Sequence, residues 1–267
     1  MNVTQYDIMP RSSVQGKKRR AELTGILSSQ RNVSTAQLAG RFGVSEMTIR
    51  RDLKELQNSG VALPCYGGAM AAKRISFEFA FDERHQANIA QKRRIGLAGA
   101  GKISDGQIVF LDTGTTTLEI ARALSRMNIR CTVITGSLVI TSELWGKENI
   151  QLQLLGGQVR QKNPDLIGPY SETMLDRFAA DVAFLGSDGI DPVRGSFAGD
   201  LDTARIAEKM AFNASKVIVV ADSSKLPRTG LARYLQIKNM DELITDKKAN
   251  PAAVRKLRGQ MVKITLV

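Results

Sequence analysis

The chain has 267 residues and a formal net charge of +12 at pH 7, a length that allows one or two domains with buried cores. Two cysteines and a single histidine exclude a disulfide scaffold and a zinc site built from these residues alone. The charge is uneven, because residues 1–74 hold 12 Lys/Arg against 5 Asp/Glu. A basic head on a nearly balanced body indicates a polyanionic partner such as nucleic acid.

Hydropathy gives no sign of a membrane protein. No apolar run is long enough to span a bilayer, and residues 1–16 lack the apolar core of a signal peptide. We therefore expect a protein of the reducing cytoplasm that makes no membrane contact.

The start of the chain is predicted to be helical after a short tail. Residues 1–16 are interpreted as a polar, disordered tail, and residues 17–72 as a DNA-binding domain. A first helix is predicted over residues 17–29. Ser34 is expected to open a second helix, with Gln37 three residues on completing a capping box. The apolar side of the first helix would consist of Leu23, Ile26 and Leu27.

A third predicted helix, residues 44–56, has two different faces. Placed at 100° per residue, its apolar residues share one stripe and its long cations the other. A charged face alone is usually just solvated. Two capped helices joined by a turn at Gly43, however, follow the helix-turn-helix plan, whose second helix reads the major groove. The face therefore predicts contacts with phosphates and base edges.

The candidate DNA contacts lie on all three helices. We expect Arg50 and Arg51 to reach the major groove, and Lys54 and the basic run 17–20 to lie nearer to phosphates. A short strand-like run at 61–65 and a tight turn at Gly67-Gly68 suit a β-wing. The full set of candidates is Ser34, Thr35, Ser45, Met47, Thr48, Arg50, Arg51 and Lys54, with Lys17, Arg19 and Arg20 on the first helix.

The rest of the chain predicts an α/β domain. Residues 73–88 show no clear period and are interpreted as a linker with a partly helical end. From residue 89 to 267, short β-branched runs alternate with helices, which indicates a mainly parallel sheet covered on both faces. The predicted strands are 107–111, 131–135, 150–155, 180–185, 216–221, 242–245 and 262–266. The predicted helices include 116–125, 138–145, 172–178, 203–214 and 251–258.

The strongest candidate binding loop follows the first of these strands. Residues 112–117 read Asp-Thr-Gly-Thr-Thr-Thr and run into a helix, so backbone N–H groups and the helix dipole favour an anion there. An ordinary capped turn is the alternative. Because ligands of open α/β sheets bind beyond the strand carboxyl ends, turns after other strands are expected to join the pocket. The candidate effector contacts are Asp112, Gly114, Thr115, Thr116, Thr117, Gly136, Ser137, Gly156, Gly157, Asp188, Gly189 and Lys225.

Several other features are interpreted as structural. Residues 96–103 nearly match a phosphate-binding P-loop, but Ile103 replaces the magnesium-binding hydroxyl and no apolar strand precedes the stretch. His85 is expected to be structural or exposed, and Cys65 and Cys131 to act as small apolar residues. We therefore expect no metal, no cofactor and no catalytic residue.

With these motifs the sequence resembles the DeoR family of bacterial transcription regulators over roughly residues 17–246. The most specific stretches are STAQLAGRFGVSEMTIRRDLKEL, LDTGTTT, FLGSDGID and VVADSSK. The resemblance implies a winged helix-turn-helix followed by a mainly parallel α/β sensor domain similar to sugar-phosphate isomerases. It also implies repression of sugar-catabolic operons and release of DNA on binding a phosphorylated sugar.

Two departures from the family pattern stand out. The wing usually ends in Arg-x-His-Gly-Gly-Ala, whereas residues 64–69 read Pro-Cys-Tyr-Gly-Gly-Ala and lack both the cation and the histidine. In the sensor, Gly136 replaces an Asn, and Thr203 and Ala207 replace a Glu and a Lys. The pocket is therefore expected to be roomier and less cationic than in relatives, with an altered effector preference.

The sequence thus predicts a regulator, most simply a repressor, that binds a double-stranded DNA operator and a phosphorylated sugar or similar metabolite. One short recognition helix reads few base pairs, so a homo-oligomer of at least two chains is expected. The main alternative is a sugar-phosphate isomerase or deaminase with a basic head, in which Asp112 or Asp188 would be the base. A second alternative is an architectural DNA-binding protein whose body only oligomerises.

Overall fold

The computed structural model describes residues 11–30, 32–58, 61–71, 81, 83–160 and 163–267, apart from a few side chains beside the gaps and in the first helix. The chain divides into two compact units, Met1–Ala80, called the head below, and Phe81–Val267, called the body. Each unit is built around a hydrophobic core of its own.

In the described part of the head, three helices pack on a small antiparallel sheet with strand order β1-β3-β2. Leu23, Leu27 and Ile49 are completely buried at the centre of the core, as their spacing predicted. The elements of the head are α1 (Arg11–Gln30), β1 (Asn32–Ser34), α2 (Thr35–Phe42), α3 (Glu46–Asn58), β2 (Ala62–Cys65) and β3 (Gly68–Ala71).

The ends of these helices only partly match the predictions. α1 begins at Arg11, inside the stretch expected to be a tail, and continues through Gly16. Residues 1–10 lie outside the described residues. The predicted capping box is wrong, since the side chain of Ser34 caps nothing and its backbone pairs with Gly68 instead. Gly43 ends α2 in the left-handed conformation, as a break at this residue requires.

The body is organised around a parallel sheet. Its strand order within the described residues is β15-β14-β12-β9-β4-β5-β6, and every neighbouring pair is parallel. The elements in chain order are α4 (Ile89–Ala100), β4 (Ile108–Leu111), α5 (Thr115–Leu124), β5 (Cys131–Thr135), α6 (Leu138–Leu144), β6 (Ile150–Leu154), β7 (Gln158–Val159), β8 (Leu166–Ile167), α7 (Pro169–Leu175), β9 (Val182–Gly186), β10 (Gly189–Asp191), β11 (Gly195–Ala198), α8 (Leu201–Phe212), β12 (Val217–Val220), β13 (Ala232–Leu235), β14 (Glu242–Thr245), α9 (Pro251–Arg258) and β15 (Lys263–Leu266).

Both faces of the sheet are covered. Along β9, Val182 and Phe184 belong to one core, with α4, α5 and α6, while Ala183 and Leu185 belong to the other, with α7, α8 and α9. This alternation follows from the two-residue period of a strand. The predicted α/β fold with a mainly parallel sheet is confirmed.

Two small antiparallel sheets lie outside the main sheet. β10, β11 and β13 form one of them, and β7 and β8 form the other. Their strands are short, at two to four residues, and were not predicted. β7 pairs with β8, and β10 with β11, over short sequence separations, whereas β13 pairs with a partner far along the chain, Arg233 with Phe197.

Candidate functional site

The order of the strands places a crevice between β4 and β9. From β4 the chain proceeds outward through β5 and β6, and it then returns to place β9 on the other side of β4. The loops that follow β4 and β9 therefore leave the sheet in opposite directions. Such a switch point is where open α/β sheets bind their ligands.

Asp112 ties these two loops together. Its Oδ1 accepts a hydrogen bond from the N–H of Thr113 at 2.7 Å, and its Oδ2 accepts one from the N–H of Gly186 at 2.9 Å. On the other side of Gly186, the hydroxyl of Tyr234 donates to the carbonyl oxygen at 2.5 Å. The end of β9 is thus fixed from both directions.

The charge on Asp112 is costly to maintain. Burial raises the pKa of this carboxyl from its ordinary 3.8 to about 6, although the two backbone N–H bonds oppose the change. Burial also raises the pKa of the neighbouring Tyr234, and the Asp112 carboxylate adds to that effect. Tyr234 therefore remains a neutral hydrogen-bond donor.

The loop after β4 ends at the N-terminus of α5. The hydroxyl of Thr117 donates to the carbonyl oxygens of Asp112, at 2.6 Å, and Gly114, at 2.7 Å, so it shapes the loop and is fully buried. The N–H groups of the first turn of a helix have no partner within the helix. Backbone N–H groups and the hydroxyls of Thr115 and Thr116 therefore remain for an anion, and Thr117 does not.

A buried arginine that the sequence analysis missed lies on one side of the crevice. Arg160 bonds to Asp165 through Nε at 2.6 Å, and through Nη1 it bonds to Asp200 at 2.7 Å and to the hydroxyl of Thr203 at 2.6 Å. Burial by itself lowers the pKa of Arg160, but the two carboxylates more than offset this and raise it. Asp165 and Arg160 also affect the pKa of Asp112, in opposite directions. Asp165 pairs with Ser137 shortly after β5, the strand next to β4, so the cluster lies at the same edge of the sheet as the crevice.

Because Arg160 faces two carboxylates, it adds no net positive charge. It instead joins the segment after β7 to the first turn of α8, where Asp200 is the N-cap. No sequence motif marks this cluster, because its members lie up to 43 residues apart.

Lys225 supplies the cation nearest to Asp188. Its Nζ lies 3.9 Å from Oδ1 of Asp188, whose Oδ2 accepts a hydrogen bond from the N–H of Gly199 at 2.8 Å. Lys225 also acts electrostatically on the buried Lys92, whose pKa is lowered first by burial. The sequence analysis missed Lys92, which donates a hydrogen bond to the carbonyl oxygen of Arg84.

Several predicted contacts at the strand ends turn out to have structural roles. Ser137 is almost fully buried and caps α6, since its Oγ accepts a hydrogen bond from the N–H of Ile140 at 3.2 Å. A Cβ on Gly189 would lie 2.7 Å from the backbone of Thr229, so that glycine permits two segments to pack closely. Gly157, with a φ of +147°, likewise faces backbone and the hydroxyl of Ser171. Its neighbour Gly156 accepts a hydrogen bond from that hydroxyl.

The expectation of a roomier, less cationic pocket is wrong at Gly136 and at Ala207. At Gly136 the missing side chain leaves no opening, because a Cβ there would lie 3.1 Å from the carbonyl oxygen of Leu166. Ala207 is 1% exposed and belongs to the hydrophobic core of the body. An ammonium group at that position would be buried in the core and would not line the crevice.

In the head, α3 presents its cations as the sequence predicted. Ile49, Leu53 and Leu56 are buried, while Arg50, Arg51, Lys54 and Met47 are exposed. At the start of the helix, the N–H of Thr48 donates to Oγ of Ser45 at 3.3 Å, which is the expected capping interaction.

The basic run of α1 behaves differently from expectation. Arg19 Nε lies 2.6 Å from Asp52, and Arg20 Nη1 lies 3.2 Å from the same buried carboxylate. Asp52 is on α3, so these two arginines hold α1 against the recognition helix. Their side chains are 18% and 32% exposed, so the contact with Asp52 occupies only part of each guanidinium. Lys17 is on α1, but its side chain lies outside the described residues.

The stretch resembling a P-loop forms the end of α4. A Cβ on Gly96 would lie 2.5 Å from the backbone of Glu119 on α5, so the glycine is required where the two helices touch. Lys102 pairs with the buried Glu242 at 2.7 Å. These contacts leave neither residue for a nucleotide, in agreement with the rejection of this motif.

His85 is buried, and its Nε2 lies 2.7 Å from Oε1 of Glu119. Among the described residues, no group of three or more His, Cys, Asp or Glu side chains is placed to hold a metal ion. None of the helices in the part of the chain that the structure describes is long and apolar enough to cross a membrane.

Comparison with known proteins gives consistent matches along the chain. The family model of the DeoR-like helix-turn-helix domain matches residues 19–74, and that of the DeoR C terminal sensor domain matches residues 87–247. The putative aga operon transcriptional repressor of Escherichia coli O157:H7 is 33% identical over 252 residues, covering 94% of this chain and 93% of that protein. The glycerol-3-phosphate regulon repressor of Escherichia coli K12 is 30% identical over 242 residues, covering 90% and 95%.

Among solved structures, ribose 5-phosphate isomerase a from Methanocaldococcus jannaschii aligns with 52% of this chain and 54% of its own, at 20% identity and a TM-score of 0.40. Nothing about activity follows from a similarity of that size.

Proposed function

Because this chain belongs to the DeoR family of DNA-binding transcriptional regulators, we propose that it is a repressor whose affinity for its operator is set by a phosphorylated sugar or a related anionic metabolite. The same membership makes it a regulator and not an isomerase or deaminase. The proposal extends to the operator contacts, the effector site and the assembly.

The operator contacts are assigned to the head. Arg50, Arg51 and Lys54 are exposed on one helix that is anchored by a buried apolar face. Arginine pairs in a bidentate fashion with guanine in the major groove, and lysine neutralises phosphates. We assign base reading to the two arginines and a phosphate contact to Lys54.

The effector site is assigned to the crevice at the ends of β4 and β9. The observation that carries this assignment is that Asp112 joins the two loops at the switch point, directly before the free N–H groups of α5. An anionic group is favoured at those N–H groups, with Thr115 and Thr116 as hydroxyl donors and Lys225 as the nearby cation. Asp112 and Asp188, as acceptors, suit sugar hydroxyl groups better than a phosphate.

The names of two relatives support a carbohydrate-related effector. One is described as a repressor of an aga operon and the other as the repressor of a glycerol-3-phosphate regulon. A small phosphorylated polyol or sugar has both features that the crevice serves, an anion and several hydroxyl groups.

The third part of the proposal is a homo-oligomer of at least two chains. A single α3 reads only a few base pairs, and two heads on one site supply the specificity that a genome demands. We assign the association to the body.

Calorimetry with a panel of pentose, hexose and triose phosphates tests the effector site. At least one of them is expected to bind the full-length protein with micromolar affinity. Thr116→Val removes one hydroxyl donor and is expected to cost about 0.5–1.5 kcal/mol of binding free energy. Lys225→Ala is expected to cost more, because the lost partner is charged.

Lys238→Ala is the matched control, because Lys238 is exposed and precedes β14, at the other end of the sheet. If Thr116→Val, Lys225→Ala and Lys238→Ala all bind the sugar phosphate with unchanged affinity, the effector site is not in this crevice. If no member of the panel binds, these sugar phosphates are excluded as the effector, and the architectural alternative gains support.

A further inference from the structure

The hairpin of β2 and β3, called the wing below, presents apolar side chains to solvent. Tyr66 at the turn is fully exposed, Leu63 is 49% exposed and Met70 is 38% exposed. Leu63 and Met70 are directly opposite each other in the hairpin register, so they share one face. The opposite face is anchored in the core of the head through Ala69, which is completely buried.

The wing also lacks charge. No Lys, Arg, Asp or Glu occurs between residues 61 and 71. The cation and the histidine that are usual in this family are absent, and Pro64 and Tyr66 stand in their places. The side-chain contacts of the wing therefore depend on shape, apolar surface and the hydroxyl of Tyr66, and not on charge.

Backbone contacts fix the turn of the wing beside the start of α2. The N–H of Thr35 donates to the carbonyl oxygen of Gly67 at 2.9 Å. Gly68 pairs with Ser34, and any side chain on Gly68 would collide with the carbonyl oxygen of Val33. Tyr66 is therefore held next to the N-terminus of α2.

That position lies at the edge of the DNA surface. In a helix-turn-helix, the first helix crosses the sugar-phosphate backbone and the second enters the major groove. Tyr66 thus lies beside the helix that is expected to cross the sugar-phosphate backbone. On the far side of that backbone from a major groove lies the minor groove, which a wing reaching past the backbone would meet.

We propose that the wing enters the minor groove as an uncharged apolar wedge, with Tyr66 and Leu63 in contact with deoxyribose and base edges. This inference rests on the proposed role of α3 in the major groove. Apolar side chains in the minor groove partly unstack a base step and bend the duplex. Pyrimidine–purine steps unstack most easily, so the wing selects such steps beside the bases read by α3.

A second copy of the chain is a less suitable occupant of this surface. Arg41, Arg50 and Arg51 are exposed on the adjoining helices. Two such surfaces repel each other, whereas a polyanion is attracted to the same cations. The charge around the wing therefore favours DNA.

Affinity measurements at several salt concentrations test the wedge. The full-length protein is used with a duplex that it has selected from a random pool. Tyr66→Ala combined with Leu63→Ala is expected to weaken binding at least tenfold without changing the slope of log affinity against log salt, because no phosphate contact is lost. Lys54→Ala, the matched control, is expected to reduce that slope by about one. Tyr66→Trp should retain the affinity.

The outcomes separate this inference from the proposed function. If Arg51→Ala weakens binding and the double wing variant does not, the wedge is refuted and α3 remains the reader. If neither variant has an effect, the DNA surface itself is misassigned and both proposals fail. A wing variant whose mass by light scattering falls together with its affinity would show a contact between copies, which also refutes the wedge.

A second measurement uses the exposed thiol of Cys65 in the wing, since Cys131 is buried. An iron chelate attached to Cys65 cuts nearby deoxyribose groups. Cuts on both strands that are staggered in the 3′ direction, beside the bases read by α3, are expected from a source in the minor groove. A 5′ stagger, or no cutting above that of Cys65→Ser treated in the same way, would overturn the assignment.

Discussion

Asp112 is a carboxylate whose ionisation opposes folding. Its pKa is raised from 3.8 to about 6 by burial, so the native state holds this proton more tightly than the unfolded chain does. The resulting contribution to stability is complete below pH 4 and is lost as the pH rises through 6. The rise of the pKa from 3.8 to about 6 corresponds to about 3 kcal/mol of unfolding free energy.

Asp112→Asn tests this directly in urea unfolding between pH 4 and 8. At pH 4 the variant is expected to be less stable than the parent, because an amide has one acceptor oxygen for the two N–H groups of Thr113 and Gly186. As the pH rises to 7, the unfolding free energy of the variant should increase relative to that of the parent by up to about 3 kcal/mol. A difference that does not depend on pH would show that Asp112 is not the titrating group.

Arg160 is expected to matter for stability more than a surface arginine does. Arg160→Ala leaves the carboxylate of Asp165, which is 1% exposed, buried without its partner. Breaking a buried pair in this way costs about 3–5 kcal/mol of unfolding free energy.

Arg93→Ala is the control in the same unit. Arg93 is 69% exposed and lies 3.9 Å from Glu119, so its loss should cost less than about 1 kcal/mol. Equal losses in the two variants would argue against the buried cluster.

The sequence allowed part of this site to be predicted at the level of residues. Asp112 and the threonines after it stand in one local motif, where a strand, small residues and a helix follow each other. Tyr234 was missed because its partner lies 48 residues away, and Arg160 because Asp200 and Thr203, two of its three partners, lie 40 and 43 residues away. The close packing at Gly136 and Gly189 was not foreseen, since in the sequence a glycine that avoids a neighbouring chain looks like one that admits a ligand.

At the scale of elements, the close contact of α4 with α5 positions the effector loop. Gly96→Ala would place a methyl group against the backbone of Glu119, which cannot move without shifting α5. Such overpacking is expected to destabilise the body by about 1–3 kcal/mol. Thermal unfolding of the variant measures this.

Gly101→Ala is the matched control at the end of the same helix. A Cβ on Gly101 would lie 3.5 Å from its nearest neighbour, the carbonyl oxygen of Leu97, and the backbone of Gly101 is helical. Its stability should equal or slightly exceed that of the parent. If Gly96→Ala is as stable as Gly101→Ala, the two helices are not in the close contact described.

The recognition helix gives a second prediction at this scale. Arg51→Ala should cost about 1–3 kcal/mol on the selected duplex and should relax the preference at one base pair. Selection from a random pool with both proteins measures this. A variant with the same affinity and the same selected sequence would remove Arg51 from the set of base-reading residues.

Elements with a clear local sequence pattern could be predicted from the sequence, whereas elements without such a pattern could not. The inner strands of the main sheet, such as β9 and β12, were predicted because each is a short apolar run that is buried on both faces. The strands β10, β11 and β13 have no such pattern; β10 and β11 pair as a local hairpin, and β13 joins β11 from more than 30 residues along the chain, with Arg233 opposite Phe197. The capping box at Ser34 failed because the backbone of that residue pairs with Gly68 in the wing.

At the scale of the whole molecule, the proposed operator recognition requires more than one head for each operator. Light scattering at micromolar concentration is expected to give at least twice the chain mass of 29.1 kDa. A monomer, both with and without DNA, would contradict the proposed assembly.

The proposed function requires that an anionic metabolite in the β4–β9 crevice controls the affinity of the protein for its operator DNA. Fluorescence anisotropy of the selected duplex, titrated with full-length protein in the presence and absence of each sugar phosphate, tests it most directly. One sugar phosphate is expected to weaken DNA binding at least tenfold for the parent and for Lys238→Ala, and much less for Lys225→Ala. DNA affinity that no sugar phosphate changes, or that changes equally in Lys225→Ala, would contradict the claim.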